Sequence, residues 1–379
     1  MYIYIVGLII TIVLSGIIEK NKIKNPKVSI FFSAILLFIL SFIAGARSIN
    51  LGWDASKYVV STFNRLELYG GNFSQFLDYT TVEKGFSTFS YALYKIHPNI
   101  NFLLFGYSFI TTLLIMMYAF KEKEHVSFSM LMIVYYMVYY LITFNIIRQS
   151  ISIMIVLLSY SYFSERKYAK SLVLFALALS FHSSTIFTIP IYTLNYVSRK
   201  TPTKRKKRLN YFLIISFTIL LSLTYEQIAS FMASIGLISN KYIGYITNYD
   251  RGVDYNLSNI IFNIYWILLG LLFLKSKLTE EKYTNLSNNI VILVISLIIN
   301  IVSIKLHPVY RAGFFFYYIG IFSFLPTLNQ YISKENITNR KLAKMIVLSA
   351  ALVIFLWTTI LGNAHHIYPY QSDIYTWLS

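Results

Sequence analysis

The chain has 379 residues, of which 56% are apolar and only 13% carry a charge. The apolar residues occur in blocks of about 16 to 20, each long enough to cross a hydrocarbon layer about 30 Å thick. No stretch has the composition of a separate soluble domain, so the sequence predicts an all-α, polytopic membrane protein with one integral-membrane domain over residues 1–379. The lack of cysteine excludes disulfides, thiolate metal ligands and a cysteine nucleophile.

The formal net charge of +18 is concentrated in loops between apolar blocks. The densest basic run, RKTPTKRKKR at Arg199 to Arg208, contains no aromatic residue and separates two apolar blocks. The positive-inside rule predicts basic residues at such positions, on the cytoplasmic side of the membrane. The charge therefore does not indicate nucleic-acid binding.

The apolar blocks predict about 12 transmembrane helices. In chain order they lie near residues 2–18, 29–46, 102–120, 126–144, 150–163, 171–181, 184–197, 210–224, 259–274, 289–304, 312–330 and 345–361. With both termini on the extracytoplasmic side, most of the 33 lysine and arginine residues fall in cytoplasmic loops, as the positive-inside rule requires. The two longest polar connections, residues 47–101 and 225–258, are then outer loops. The first block follows no basic region and precedes no small-residue cleavage site, so we expect a retained helix rather than a signal peptide.

One pair of predicted helices is too short for two full crossings. Residues 171–196, SLVLFALALSFHSSTIFTIPIYTLNY, have basic residues at both ends, so both ends are expected in the cytoplasm. About 13 residues are available in each direction, where a full crossing needs about 20. We therefore predict a short, broken helix pair that turns near His182 and lines a polar depression, because lipid does not tolerate irregular backbone.

Three arginines lie at the outer membrane boundary instead of in the basic loops. Arg47 follows the second predicted helix, Arg148 lies in the short connection FNIIRQ, and Arg311 opens a helix. A charge at membrane depth costs at least about 2.5 to 3.5 kcal/mol, so three at one depth indicate an anion site. Guanidinium groups suit phosphate oxygens, and the anion met most often at the outer boundary of a membrane is a lipid phosphate or diphosphate.

Asp54, Glu83 and His182 are predicted on the same side and are candidate proton acceptors. Each residue of the cluster also has a structural interpretation. An arginine at a helix end can extend its head group to the interface, a histidine in a helical turn can be a satisfied core residue, and Asp54 can cap a helix. The cluster as a whole favours the anion site over these separate interpretations.

Five motifs together resemble the EpsG-like branch of the Wzy polymerases, which make O-antigen, capsule and exopolysaccharide. They are GARSINLGWDASKY, VEKGFSTFSYAL, FNIIRQSISI, FHSSTIF and HHIYPYQ, and they span Arg47 to Gln371. The chain departs from the family pattern at Trp53, which stands before Asp54 where the family has a small residue. The resemblance implies glycosyl transfer between undecaprenyl-diphosphate-linked oligosaccharides on the extracytoplasmic face of a bacterial cell (inner) membrane. Undecaprenyl diphosphate is then the leaving group, and transfer by single displacement inverts the anomeric carbon.

The resemblance also gives the candidate residues expected roles. A proton acceptor is expected among Asp54, Glu83 and His182, with a carboxylate ahead of the histidine, and Arg148 is expected to stabilise the leaving group. The residues expected to bind the diphosphate are Arg47, Arg148, Gln149 and Arg311. Trp53, Tyr58 and Tyr370 are expected to stack on sugar rings.

No metal-binding spacing and no glycine-rich phosphate loop is present, so neither a metal nor a cofactor is expected. The expected partners are the lipid-linked donor and acceptor and the membrane lipid, with a chain-length regulator left open. A flippase or other transporter of lipid-linked oligosaccharides is the main alternative, although transporters usually carry charges at several depths and internal repeats, which this sequence lacks. The sequence is also compatible with another lipid-phosphosugar transferase or with a structural membrane protein.

Overall fold

The computed structural model describes residues 2–52, 54–201, 203–234, 254–274, 280–304, 310–332, 337–361 and 367–373. These ranges are almost entirely helical, and they contain no β-strand. Contacts divide the chain into two compact units. Unit 1 comprises Met1–Ser159, Ala169–Ser183 and Ile332–Ser379, and unit 2 comprises Tyr160–Tyr168 and Ser184–Tyr331. The single integral-membrane domain stays a prediction.

The α-helices of the described ranges are numbered here in chain order. They are α1 (Tyr2–Asn21), α2 (Pro26–Gly45), α3 (Val60–Tyr69), α4 (Phe73–Tyr79), α5 (Lys84–Ile96), α6 (Ile100–Lys121), α7 (Phe128–Val134), α8 (Ile147–Ser164), α9 (Tyr168–Phe181), α10 (Ile189–Lys200), α11 (Lys204–Leu223), α12 (Tyr225–Ser234), α13 (Asp254–Leu274), α14 (Glu280–Val302), α15 (Tyr310–Ile332) and α16 (Ile337–Leu356). Each of the predicted transmembrane segments overlaps a helix of this series, although segments 126–144 and 184–197 also contain π-helical or 3₁₀ turns.

Seven helices within the described ranges are long and apolar enough to cross a membrane. They cover Tyr2–Asn21, Pro26–Gly45, Ile100–Lys121, Leu257–Leu274, Tyr283–Val302, Tyr310–Asn329 and Arg340–Thr359. Phe128–Tyr140 and Tyr168–Phe181 are shorter apolar helices. The chain is therefore an all-α, multi-pass membrane protein, while the number of twelve crossings and the side of each terminus stay predictions.

The connection 47–101 is more ordered than an outer loop implies. It contains a π-helical turn at Ala55–Val59 followed by α3, α4 and α5. Helix α5 buries Phe86, Ser87, Ser90 and Leu93 along one face, a pattern typical of a short amphipathic helix. Such helices carry too few consecutive apolar residues to be found by a search for membrane segments. In the second predicted loop, 225–258, α12 and the start of α13 are described and the residues between them lie outside the described ranges.

The segment before Arg148 is irregular instead of one continuous helix. Helix α7 passes into a π-helix at Tyr135–Tyr140 and a 3₁₀ turn at Ile142–Phe144 before α8 begins at Ile147. Tyr139 Oη donates to the carbonyl of Ser150 at 3.2 Å, and Tyr140 Oη donates to the carbonyl of Leu40 at 2.6 Å. These buried hydroxyls fix the irregular backbone, and π-helical turns frequently occur at functional sites.

The predicted break near His182 is confirmed. Helix α9 ends at Phe181, a 3₁₀ turn follows at Ser183–Thr188, and α10 then covers Ile189–Lys200. Fourteen residues of α9 span about 21 Å, less than a hydrocarbon core. Ala169–Ser183 belong to unit 1, and the chain enters unit 2 at Ser184, so the boundary between the two units in the sequence falls within this break.

Candidate functional site

Arg148 and Glu83 form an ion pair inside unit 1. Arg148 lies in the first turn of α8, and Glu83 lies directly before α5. Nη1 of Arg148 donates to Oε2 of Glu83, and the two side chains are only 7% and 12% exposed. The pair joins the FNIIRQ motif to the VEKGF motif, which are distant in the sequence.

The second carboxylate oxygen of Glu83 holds the FHSS motif. Oε1 accepts from the amide of Ser183 at 3.0 Å and from its hydroxyl at 3.2 Å. Nδ1 of His182 lies 3.2 Å from the same oxygen. The Ser183 amide can donate to a side chain because Ser183 begins the 3₁₀ turn that follows α9, and the first amides of a helical turn have no acceptor within that turn. One carboxylate therefore links three of the motifs.

The electrostatics of this network keep Glu83 ionised. Burial alone would raise the pKa of Glu83, but the Arg148 guanidinium, the contact with His182 and the Ser183 amide together outweigh burial. They hold the pKa of that carboxyl well below its usual range. An ionised carboxylate only accepts hydrogen bonds, so the Nδ1 atom of His182 carries the hydrogen in this contact.

Two glycines of the motifs permit close approach of the chain to this network. A Cβ atom added at Gly85 would clash with the hydroxyl of Ser180 and would lie 2.7 Å from the Ser180 carbonyl oxygen. Gly52 has a φ of +88°, and a Cβ atom there would lie 2.6 Å from the carbonyl oxygen of Phe144. The first contact brings α5 against the end of α9, and the second brings residue 52 against the turn before Arg148. A side chain at either position would separate these segments.

Tyr58 contacts the same arginine from the π-helical turn. The Cζ atom of Arg148 lies 4.4 Å from the centroid of the half-buried Tyr58 ring, within the range of a cation–π interaction. The Nζ atom of the exposed Lys57 lies 5.7 Å from the same centroid. Tyr58 therefore orients Arg148 on a side that Glu83 does not occupy.

A model of the EpsG family matches residues 29–372 of the chain. The chain belongs to the EpsG family. The EpsG family is related to the Wzy-type polymerases, so the resemblance carried by the five motifs is confirmed, and the match contains all of them. The protein is thus a membrane protein related to polysaccharide polymerases. No curated protein and no solved structure matches this EpsG-family chain.

In this EpsG-family protein, Arg47, Arg148 and Asp54 are all buried, which bears on the separate structural interpretations of the cluster. Arg47 and Arg148 are 2% and 6% exposed within the folded chain, so neither extends its head group to the interface. Asp54 is 3% exposed and precedes the π-helical turn without making a capping hydrogen bond, so the capping interpretation is wrong. Burial lowers the pKa of Arg47, and the negative charge of Asp54 is among the influences that oppose this lowering.

The remaining residues predicted for diphosphate or sugar binding do not join the Arg148–Glu83 pair through any contact described above. Gln149 is 1% exposed inside α8. Tyr370 is half-buried, and its hydroxyl donates to the carbonyl of Ile43 at 2.8 Å. Arg311 belongs to unit 2, where its Nε donates to Tyr310 Oη at 3.4 Å. Trp53 lies outside the described residues.

Ser183 is the member of this network that the sequence-based prediction missed. Its signal is present in FHSS, because a serine at the start of a helical turn offers both an amide without a partner in that turn and a side-chain donor. Within the described ranges, no group of three histidine, aspartate or glutamate side chains is placed to hold a metal ion.

Proposed function

We propose that this EpsG-family protein polymerises undecaprenyl-diphosphate-linked oligosaccharide repeat units on the extracytoplasmic face of the bacterial cell membrane. A hydroxyl of the incoming unit attacks the anomeric carbon of the growing chain. The new glycosidic bond forms as the bond to the diphosphate breaks, so undecaprenyl diphosphate leaves with the electron pair and the carbon inverts. The family match supports the polymerase class, and the Arg148–Glu83–His182 network is the observation that supports this chemistry.

Arg148 is proposed to bind the departing diphosphate. Departure builds negative charge on the diphosphate oxygens, and a fixed guanidinium directed at that charge lowers the barrier without a metal ion. The low exposure of Arg148 strengthens its electrostatic effect, because a site that excludes water has a low effective dielectric constant. Glu83 and Tyr58 fix the guanidinium plane in advance, so little reorganisation accompanies the reaction.

His182 is proposed to accept the proton of the attacking hydroxyl. Because Nδ1 donates to Glu83, the basic nitrogen of the neutral imidazole is Nε2. This is the arrangement by which a carboxylate orients a histidine base in hydrolase triads. The low pKa of Glu83 makes that carboxylate a poor base, so its proposed role is to position His182 and Arg148. Asp54 remains the second candidate for the base.

The charges of the site favour this division of roles. Arg148 and Glu83 neutralise each other in the folded protein. When His182 takes the acceptor proton it becomes an imidazolium, which adds positive charge as the diphosphate gains negative charge. Two exposed lysines, Lys57 and Lys84, adjoin Tyr58 and Glu83 and supply further positive charge at the edge of the site.

The proposal is tested in cells that lack this gene and are complemented at matched expression. Wild type should restore a full polymer ladder, whereas Arg148→Ala should leave single lipid-linked repeat units on the outer face. Lys95→Ala is the matched control, because Lys95 is an exposed cation on α5 away from Glu83 in the helix, and it should give a full ladder. Accumulation of single units on the cytoplasmic side would instead identify a flippase.

A further inference from the structure

The C-terminal segment 367–373 is docked on the chain around Arg47 within unit 1. Arg47 and Ser372 form an antiparallel bridge. The amide of Ser48 donates to the carbonyl of Gln371 at 2.8 Å, and the amide of Asp373 donates to the carbonyl of Ala46 at 3.1 Å. The backbone on both sides of Arg47 is therefore held by the C-terminal segment.

Side chains of the C-terminal segment reinforce this pairing. Oδ2 of Asp373 accepts from the amide of Ile49 at 3.1 Å. Oγ of Ser372 donates to the carbonyl of Ala46 at 2.7 Å. Neither Ser372 nor Asp373 has a role in the proposed chemistry, so these contacts need another explanation.

The Arg47 side chain in turn holds the turn that precedes Arg148. Its Cζ atom lies 4.0 Å from the centroid of the Phe144 ring, and its Nη2 donates to the carbonyl of Phe144 at 3.4 Å. Phe144 ends the 3₁₀ turn, and α8 begins three residues later. The planar guanidinium thus contacts both the ring and the backbone of the residue that sets the start of α8.

Arg47 is buried beside a small cavity. Arg47 is 2% exposed, and a cavity of only about 10 Å³ lies beside it. A cavity of this volume holds about one water molecule. Ser108 and Ser150 are among the residues that line the cavity. The contacts of this buried guanidinium with Phe144 favour a structural role over the diphosphate binding expected from the sequence.

We infer that Arg47 is a positioning residue for Arg148, and that Ser372 and Asp373 position Arg47. The C-terminal segment fixes the backbone of Arg47, the Arg47 side chain fixes Phe144, and the Phe144 turn sets the start of the helix that presents Arg148. This inference rests on the proposed role of Arg148, but its structural part is measurable without polymerase activity.

The test uses single cysteines, because the natural chain has none. Ser150→Cys places a near-isosteric thiol beside the cavity at a position 1% exposed, and Ser15→Cys places one at a buried position in α1. We expect Arg47→Gln, and separately Ser372→Ala with Asp373→Ala, to speed maleimide labelling of Ser150→Cys by about tenfold, because each change removes contacts that resist local opening. Ser15→Cys should stay unlabelled. Gln371→Ala is the matched control, since only the backbone of Gln371 is used in the pairing.

Kinetics in membranes complete the test. In a protein without added cysteines, the same variants should lower kcat by about tenfold and leave KM for the lipid-linked substrate within about twofold, because positioning affects the reacting geometry. A raised KM with unchanged kcat would show that Arg47 contacts substrate directly. Unchanged labelling of Ser150→Cys, or equal labelling of Ser15→Cys, would also overturn the inference. If the labelling result holds while Arg148→Ala still polymerises, the structural link stands and the proposed function fails.

Discussion

Arg148 and Glu83 form a buried ion pair that joins helix α8 to the start of helix α5. The pair connects three sequence motifs, because the other carboxylate oxygen of Glu83 contacts His182 and accepts a hydrogen bond from Ser183. A single carboxylate thus decides the orientation of both the proposed anion-binding group and the proposed base.

Removing one member of the pair should be worse for stability than removing both. Arg148→Gln leaves Glu83 largely buried without its cation, and breaking a buried pair in this way costs about 3 to 5 kcal/mol. The double variant Arg148→Gln with Glu83→Gln leaves no buried charge and should unfold at a higher temperature than Arg148→Gln alone. Thermal unfolding in detergent measures both variants. Additive losses in the double variant would show that the two residues are not coupled.

The contribution of Glu83 to stability should depend on pH. Its folded-state pKa is depressed below the ordinary value of 4.5, so its stabilisation is complete above that value and is lost as the pH falls below it. The difference in unfolding temperature between wild type and Glu83→Gln should shrink as the pH falls below about 4.5. A difference that instead grows as the pH falls below about 4.5 would mean that Glu83 is protonated in the folded protein.

Substitutions of His182 and of Ser183 should lower kcat by different amounts. His182→Ala removes the proposed base and should lower kcat by about 10² to 10⁴, the usual range for general base catalysis. Ser183→Ala removes only a hydroxyl donor to Glu83 and keeps the amide, so a loss of about tenfold is expected. Both are measured as polymer formed per unit of protein in isolated membranes. Equal, small losses for the two variants would exclude His182 as the base and favour Asp54.

Gly85→Ala should disrupt the network by steric contact alone. The added methyl group would lie 2.7 Å from the carbonyl oxygen of Ser180, so α5 and the end of α9 must separate. Overpacking of this kind costs about 1 to 3 kcal/mol, and it should also shorten the polymer ladder because Glu83 loses contact with Ser183. Gly71→Ala is the control, since no atom lies within 4 Å of a Cβ at Gly71. Identical unfolding temperatures for the two variants would contradict the close contact at Gly85.

Much of the fold follows from the sequence, because a block of about 20 apolar residues crosses a membrane as an α-helix. Every predicted crossing overlaps a helix, and the break at His182 follows from the basic flanks of residues 171–196. Helices α3 and α4 were not predicted, because each is short and buries only one or two residues. Local hydropathy does not report such packing.

The sequence predicts which residues belong to the candidate site, but it does not predict which of them contact each other. Arginine, carboxylate and histidine at one boundary identified Arg148, Glu83 and His182 as candidates. Their mutual contacts depend on the approach of α5, α8 and α9, which no local pattern encodes. The pairing of residues 46–49 with the C-terminal segment is likewise a long-range contact, and it changes the role we assign to Arg47.

The central claim is tested most directly with purified protein in vesicles that contain lipid-linked repeat units. We expect wild type to lengthen the glycan and to release one undecaprenyl diphosphate for each linkage formed, and we expect Arg148→Ala to do neither while remaining folded. Movement of single units across the bilayer without elongation, or full elongation by Arg148→Ala, would contradict the account.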